Sequence, residues 1–218
     1  MKNFKNAVID YRYLRNKSYS DKSSLKLVGD RYSLTRIERN SLFRGVVSEL
    51  TSKRRKAKII QSFVLAGKNI AIDWYNVLIS IETYLKGMPV FIADDGILRD
   101  VSGVHSSYKK GKVTEKAINL IISEIIEFEV EKLFIYIDAP VAFSGEMAET
   151  LRRKLQTIKQ QSITTVPSAD YMLKIFNGIV CSSDSIIMDK AAEIFDFPRF
   201  VIEKNFDVKV PELFSINL

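Results

Sequence analysis

The chain predicts an α/β fold, a mostly parallel sheet with helices on both faces, preceded by a small basic all-α bundle. Three observations carry this expectation. From residue 59 onward, short runs rich in Ile, Val, Phe and Tyr alternate with longer stretches of helical periodicity, the rhythm of strand-helix units. Four of the short runs end in aspartate, as strands feeding a ligand crevice do. Charge is divided unequally along the 218 residues: 1–58 hold 16 Lys and Arg against 5 Asp and Glu, whereas the remainder holds 17 against 21, within a formal net charge of +7. That division sets the expected boundary, a basic helical nucleic-acid-binding module over 1–58 and an α/β domain over 59–218.

In the front module, Phe4, Val8 and Tyr11 recur at i, i+4, i+7, and Leu25, Val28 and Tyr32 at i, i+3, i+7. Two amphipathic helices follow, with Ser20 and Asp21 able to cap the second. A third is expected from Ser33 or Thr35, where Thr35-Arg36-Ile37-Glu38 has capping-box spacing, through Phe43, Val46, Val47 and Leu50 on one face. Lys53-Arg54-Arg55-Lys56 reads as a basic connector. In the second domain, strands are expected at 69–73, 90–93, 133–138 and 179–182, with weaker candidates at 164–166 and 200–202. Between them lie three helix faces: Ile118, Ile121, Ile122 and Ile125; Met147, Leu151, Leu155 and Ile158; Ile187, Ala191, Ile194 and Phe195. The helix beginning at Ser144 carries Glu146 and Glu149 early and Arg152, Arg153 and Lys154 late, matching its macrodipole. Residues 99–113 read as a mobile loop.

Composition excludes several classes. One cysteine, Cys181, cannot bridge internally, and one histidine, His105, leaves no His/Cys set for structural zinc, so a reducing compartment is expected. No apolar run approaches the roughly 20 residues of a membrane span. The opening Met1-Lys2-Asn3-Phe4-Lys5 leads into mixed polar sequence without a signal-peptide core, so the expectation is a cytoplasmic protein with no membrane partner. Neither G-x-G-x-x-G nor G-x-x-x-x-G-K-[ST] occurs, which removes dinucleotide and P-loop chemistry. Tyr75 stands where a D-x-D phosphatase needs its second acid. Serine or cysteine nucleophile chemistry would rest on His105 alone.

The basic front points to nucleic acid, because cations that displace the counterions of a phosphate polymer bind it without regard to sequence. The candidate contacts are Arg12, Arg15, Arg31, Arg36, Arg39, Arg44, Lys53, Arg54 and Arg55, joined by Lys109 and Lys110 from the 99–113 stretch. Arginine forks suit phosphate, and tyrosines such as Tyr13 and Tyr19 can stack on unpaired bases. The strand ends point to chemistry. Asp73, Asp94-Asp95, Asp138 and Asp184 each close an apolar run, and parallel strands would bring them to one edge, where they repel. A hard divalent cation, Mg²⁺ or Mn²⁺, resolves that repulsion with oxygen ligands and serves phosphodiester hydrolysis by activating water and neutralising phosphate charge. Aspartate is also a common helix N-cap, so for any single one a structural role stays open. Asp94, Asp95 and Asp100 are held as additional acids.

Asp73-Trp74-Tyr75-Asn76-Val77-Leu78-Ile79 resembles the opening motif of the PIN/NYN ribonuclease superfamily, an aspartate ending the first strand with an asparagine three residues later. Ser168-Ala169-Asp170-Tyr171-Met172-Leu173 resembles the helix start that supplies a second acid there, and Cys181-Ser182-Ser183-Asp184-Ser185 resembles its Ser-Gly-Asp-Ser turn. The resemblance covers 69–202 and implies a Rossmann-like sheet whose divalent-metal acidic site cuts RNA. Asp73, Asp170 and Asp184 are the matched acids and Asn76 the matched polar residue; Asp138 is added from strand topology alone. Ser183 replaces the motif's glycine, and Ile186 stands where many members carry another acid. Asp189, one helical turn later, either substitutes for that acid or is an exposed helix residue. Trp74 is bulky where small residues often stand, and either stacks on a base or packs against the sheet. The whole layout, with Leu27-Val28-Gly29-Asp30-Arg31-Tyr32 in front and Asp94-Asp95-Gly96 behind, is similar to an uncharacterised prokaryotic family of two-part proteins, which supplies no function.

The expected function is therefore a Mg²⁺- or Mn²⁺-dependent ribonuclease, with Asp73, Asp138, Asp170, Asp184 and Asn76 at its site and RNA, in preference to DNA, gripped by the front module. Two alternatives stand beside it. Ile186 keeps open a non-catalytic nucleic-acid-binding adaptor with a degenerate PIN-like fold, and the same acids could serve a small-phosphoester hydrolase. A homo-oligomer is compatible with the sequence.

Overall fold

The computed structural model describes residues 2–102 and 108–213. Its front consists of α1 (Lys2–Asn16), α2 (Asp21–Arg31), α3 (Arg36–Gly45) and α4 (Glu49–Lys56). Ser20 caps α2 by accepting from the Ser23 amide, and Thr35 and Glu38 form the reciprocal capping box that starts α3. The helix expected through Leu50 is instead two helices. It breaks because the end of α3 presses on the body: a Cβ on Gly45 would stand 2.7 Å from the Phe91 ring and 2.8 Å from Leu213. Val46 then turns extended and enters the core, and Ser48 caps α4 through the Thr51 amide. The supposed connector 53–56 is the last turn of α4, where cations complement the helix dipole.

A 3₁₀ turn at Ser62–Val64 leads to β1 (Asn69–Asp73) and α5 (Trp74–Leu85), then to β2 (Val90–Ile92) and β3 (Leu98–Asp100). There follow α6 (Thr114–Glu127), β4 (Lys132–Asp138), α7 (Ser144–Lys154), β5 (Gln161–Val166), α8 (Ala169–Lys174), β6 (Ile179–Cys181), α9 (Ser185–Lys190), β7 (Glu193–Ile194) and α10 (Phe197–Phe206). Five strands form one sheet in the order β5-β4-β1-β6-β7, every neighbouring pair parallel. Alternation along β1 sends Ile70 and Ile72 into the core shared with α5, α6 and α7, and Ala71 into the core shared with α8 and α9. Helices thus cover both faces, as expected of a parallel sheet. From β1 the chain builds β4 and β5 on one side, then crosses back to lay β6 on the other. Such a reversal opens a crevice at the carboxyl ends of the strands beside it.

The 90–93 segment does not join that sheet. β2 pairs antiparallel with β3, Val90 opposite Asp100, because the few residues between them suffice for a hairpin and not for a parallel crossover. The 99–113 stretch therefore begins as a strand, and Tyr108, buried, donates to Glu82 at 2.6 Å. His105 lies outside the described residues. Residues 200–202 belong to α10, which Asp196 caps through the Arg199 amide and Pro198 opens. The helix expected through Phe195 ends at Lys190; Ile194 lies in an edge strand, shielded where the Ile60 amide donates to its carbonyl at 2.9 Å. α7 ends before Ile158.

The hairpin joins the two halves. Val90, Ile92 and Leu98 pack with Ile202 and Val210 of the body. Phe91, Ala93 and Val101 pack with Phe4, Val8, Tyr11 and Leu42 of the front helices. The front module is consequently not a closed bundle; one apolar core runs from α1 into the hairpin.

Candidate acidic site and the cleft beside it

The site is assembled where β1 and β6 end. Asp73 stands at the start of α5 yet its side chain caps nothing; its Oδ2 accepts from Ser182 Oγ at 2.8 Å, and that hydroxyl accepts from the Asp184 amide at 3.1 Å. Asn76, one turn into α5, accepts from the Ser183 amide at 2.8 Å through Oδ1, tying the first turn of α5 to the β6-α9 turn. Asp184 caps α9, its Oδ1 accepting from the amides of Ile186 at 2.8 Å and Ile187 at 3.1 Å. At the end of β4, Asp138 Oδ1 accepts from the Ala169 amide at 2.9 Å, and Asp170 follows in the first turn of α8.

Asp73, Asp138, Asp170, Asp184 and Asn76 line one cavity of about 400 Å³, together with Tyr75 and Ser168. Asp73 is 5% exposed. Burial above all, then the negative charges of Asp138 and Asp170, push its carboxyl up to about 7, against the Ser182 hydroxyl and the Asn76 amide that favour the ionised form. Such a carboxyl calls for a proton or a cation. The donors suit a hard divalent ion: all are oxygens, and Asp138 and Asp184 each keep Oδ2 without a hydrogen bond among the described residues. Among the described residues no three Asp, Glu, His or Cys side chains gather closely enough to form a metal cluster as they stand. Mg²⁺ keeps waters and commonly takes one or two carboxylates plus substrate phosphate rather than a closed protein cage, so these residues could hold it without forming such a cluster.

The four additional acids lie elsewhere, and the reason is their arginines. Asp94, in the turn of the hairpin, accepts from Arg12 Nη2 at 2.6 Å and Nε at 2.9 Å. Asp95 is fully buried between Arg55 and Arg99, each at 2.9 Å. Asp100, buried, meets Arg44 at 3.0 Å and bonds Ser102, and these contacts hold its carboxyl below the usual range despite burial. Asp189 is gripped by Arg54 at 2.8 Å and Arg55 at 2.9 Å. These pairs engage part of the expected RNA surface within the protein: Arg55 is 4% exposed and, like Arg12, Arg44 and Arg54, holds an acid of the body. Arg15 pairs with Asp21, Arg39 with Asp30 and Arg31 with Asp10. Arg36, Lys53, Lys109 and Lys110 are exposed.

Trp74 is fully buried in the core of the sheet, which decides for packing over base stacking. Ser182 is the residue of the site that sequence reading passed over. Its signal was the Ser-x-Asp spacing of the β6-α9 turn.

Fold and site together define an α/β protein with an acidic cavity at the reversal point of a parallel sheet, fronted by helices rich in arginine. The chain belongs to the family described as a domain of unknown function (DUF5616), which matches residues 63–200, and residues 3–58 match a protein of unknown function (DUF434). It is 35% identical over 180 residues to the uncharacterized protein MJ0935 of Methanocaldococcus jannaschii, across 82% of this chain and 86% of that protein. The likeness to an uncharacterised two-part family therefore holds. No solved structure matches the chain. Among the described residues no helix is long and apolar enough to cross a membrane.

Proposed function

We propose that this chain is a divalent-metal-dependent ribonuclease that hydrolyses RNA phosphodiester bonds at the cavity lined by Asp73, Asp138, Asp170 and Asp184. One observation carries the reading: four aspartates distant in sequence share a cavity at the carboxyl edge of the sheet, where burial, and after it the charges of Asp138 and Asp170, raises Asp73. These carboxylates would hold Mg²⁺ or Mn²⁺, which supplies charge neutralisation for the phosphodiester and a water able to attack at neutral pH. The chain's own part is to fix the acids. Ser182 orients Asp73, the Ala169 amide orients Asp138, and the first turn of α9 orients Asp184, so little reorganisation remains when substrate arrives. Exposed Arg36, Lys53, Lys109 and Lys110 would attract the phosphate backbone.

The test is RNA cleavage with Mn²⁺, with EDTA, and by Asp73→Asn. Cleavage is expected with Mn²⁺ and not with EDTA, and the substitution should lower it by more than about a hundredfold, beyond the loss typical for groups that only support a ligand. An unchanged rate in a preparation freed of contaminating nuclease refutes the site. One observation favours a second reading: Ile186, 57% exposed, occupies the expected place of a further acid. Salt-dependent binding of RNA and DNA without cleavage of either would establish the non-catalytic adaptor instead.

A further inference from the structure

A larger cavity, of about 650 Å³, opens between the front helices and the α/β body beside the acidic one, and the two meet at Asn76 and Asp184, which line both. Its size is that of a small-molecule site. The cations around it are already paired within the protein: Arg44 with Asp100, Arg55 with Asp189, Arg99 with Asp95, Arg15 with Asp21. Besides Asp184 Oδ2 at the junction of the two cavities and the buried Nε of Arg15, the hydrogen-bonding groups left over are neutral. Ser183 is 5% exposed and its Oγ has no hydrogen-bond partner among the described residues. Asn76 engages Oδ1, and Asn40 only Nδ2, on the Val101 carbonyl at 3.0 Å. Apolar groups line the same space: Phe43, 52% exposed near the end of α3, with Val47 and the exposed Ile186.

A flat ligand with an apolar face and a hydrogen-bonding rim fits this set; a phosphate, which needs unpaired cations, does not. Aromatic and aliphatic side chains stack on bases, and amide and hydroxyl groups read base edges that a duplex keeps paired. We propose that the cleft between the two modules is a pocket for one unpaired nucleobase, packed against Phe43 and Ile186 and hydrogen-bonded by Asn76 and Ser183, with the adjoining phosphate at the acidic cavity. The ligand class is single-stranded nucleic acid. The two departures from the nuclease motif thereby acquire a role, Ser183 as a hydrogen-bonding group and Ile186 as part of the apolar wall. Only the position of the phosphate rests on the ribonuclease reading.

The experiment uses the full chain in EDTA and an oligoribonucleotide of about a dozen nucleotides carrying one 2-aminopurine, with its DNA counterpart and the duplex of each. Anisotropy reports affinity and 2-aminopurine emission reports stacking. Single strands are expected to bind with a change in emission and duplexes to compete poorly. Phe43→Ser should weaken binding about tenfold and abolish the emission change, the scale of one lost base-aromatic stack. Ile186→Asp, at an exposed position that folding does not need, should do the same by placing a charge against the base. Wild-type binding and emission in both variants, duplex binding as tight as single-strand binding, or no binding by the wild type overturns the pocket. Asp73→Asn, which alters the acidic cavity and not the pocket, should still show the emission change on binding. If that variant still cleaves RNA, the nuclease reading falls and the pocket stands; if Phe43→Ser and Ile186→Asp change nothing while Asp73→Asn abolishes cleavage, the reverse holds.

Discussion

Asp196 illustrates how burial and hydrogen bonding contend at one carboxyl. Its Oδ2 accepts from the Leu98 amide at 2.8 Å and its Oδ1 from the Arg199 amide at 3.3 Å, yet burial outweighs them and pushes it up to about 6 from an ordinary 3.8. In the window between those values the unfolded chain has lost the proton while the folded chain still holds it, so stability from this group is present below the unfolded value and is lost as pH rises through the folded one. The expected outcome is that Asp196→Asn gains stability relative to wild type as pH rises from about 4 to about 6.5, by on the order of 2–3 kcal/mol. Urea unfolding of both proteins across that range checks it; a pH-independent difference refutes it. At this scale the sequence was readable in part. Asp73 and Asp184 announce themselves because an apolar run leads into each turn. Asp94, Asp95, Asp100 and Asp189 look the same in one dimension, and only the fold brings Arg12, Arg55, Arg44 and Arg54 against them.

Helix starts were legible because a cap is a local device. Thr35→Ala, which removes one half of the capping box on α3, should cost about 1 kcal/mol, measurable as a lower urea midpoint with unchanged slope. Helix ends and strand partners were less legible, since distant residues decide them. The break after Gly45 answers to Phe91 and Leu213, and the hairpin of β2 and β3 to a turn too short for a crossover. α4 carries the strongest element-level prediction. Arg55 donates to Asp95, to Asp189 and, at 3.1 Å, to the Ser185 carbonyl, so Arg55→Met leaves Asp95 buried with Arg99 alone and removes one of the ties between α9 and the front. A loss of about 3–5 kcal/mol is expected, and because Asp95 also pairs with buried Arg99, recovery of most of it in Arg55→Met/Asp95→Leu/Arg99→Met would show that the stranded charge, rather than lost packing, is responsible. Urea unfolding of the single and triple variants measures both.

For the molecule as a whole, the division of charge near residue 58 was visible from composition, but whether the two parts stand apart was not, because an apolar face does not declare its partner. The structure shows Phe91, Ala93, Val101 and Leu213 covered by the front helices. A chain lacking residues 1–58 would expose that surface and take Arg55 from Asp95 and Asp189. It is expected to bind a hydrophobic dye and to lose cooperative unfolding by circular dichroism; cooperative melting near the wild-type midpoint would refute the shared core. The front helices therefore cannot be deleted as a clean probe of RNA binding, and point substitutions at Phe43 or Lys53 are the sounder route. The guanidinium of Arg55, reaching from α4 to the helix that Asp184 begins, has one more consequence. A hybrid that grafts the front of one relative onto the body of another should hold together only when both donors bring matching members of the Arg55, Asp95 and Asp189 trio, so these two halves must be inherited in step.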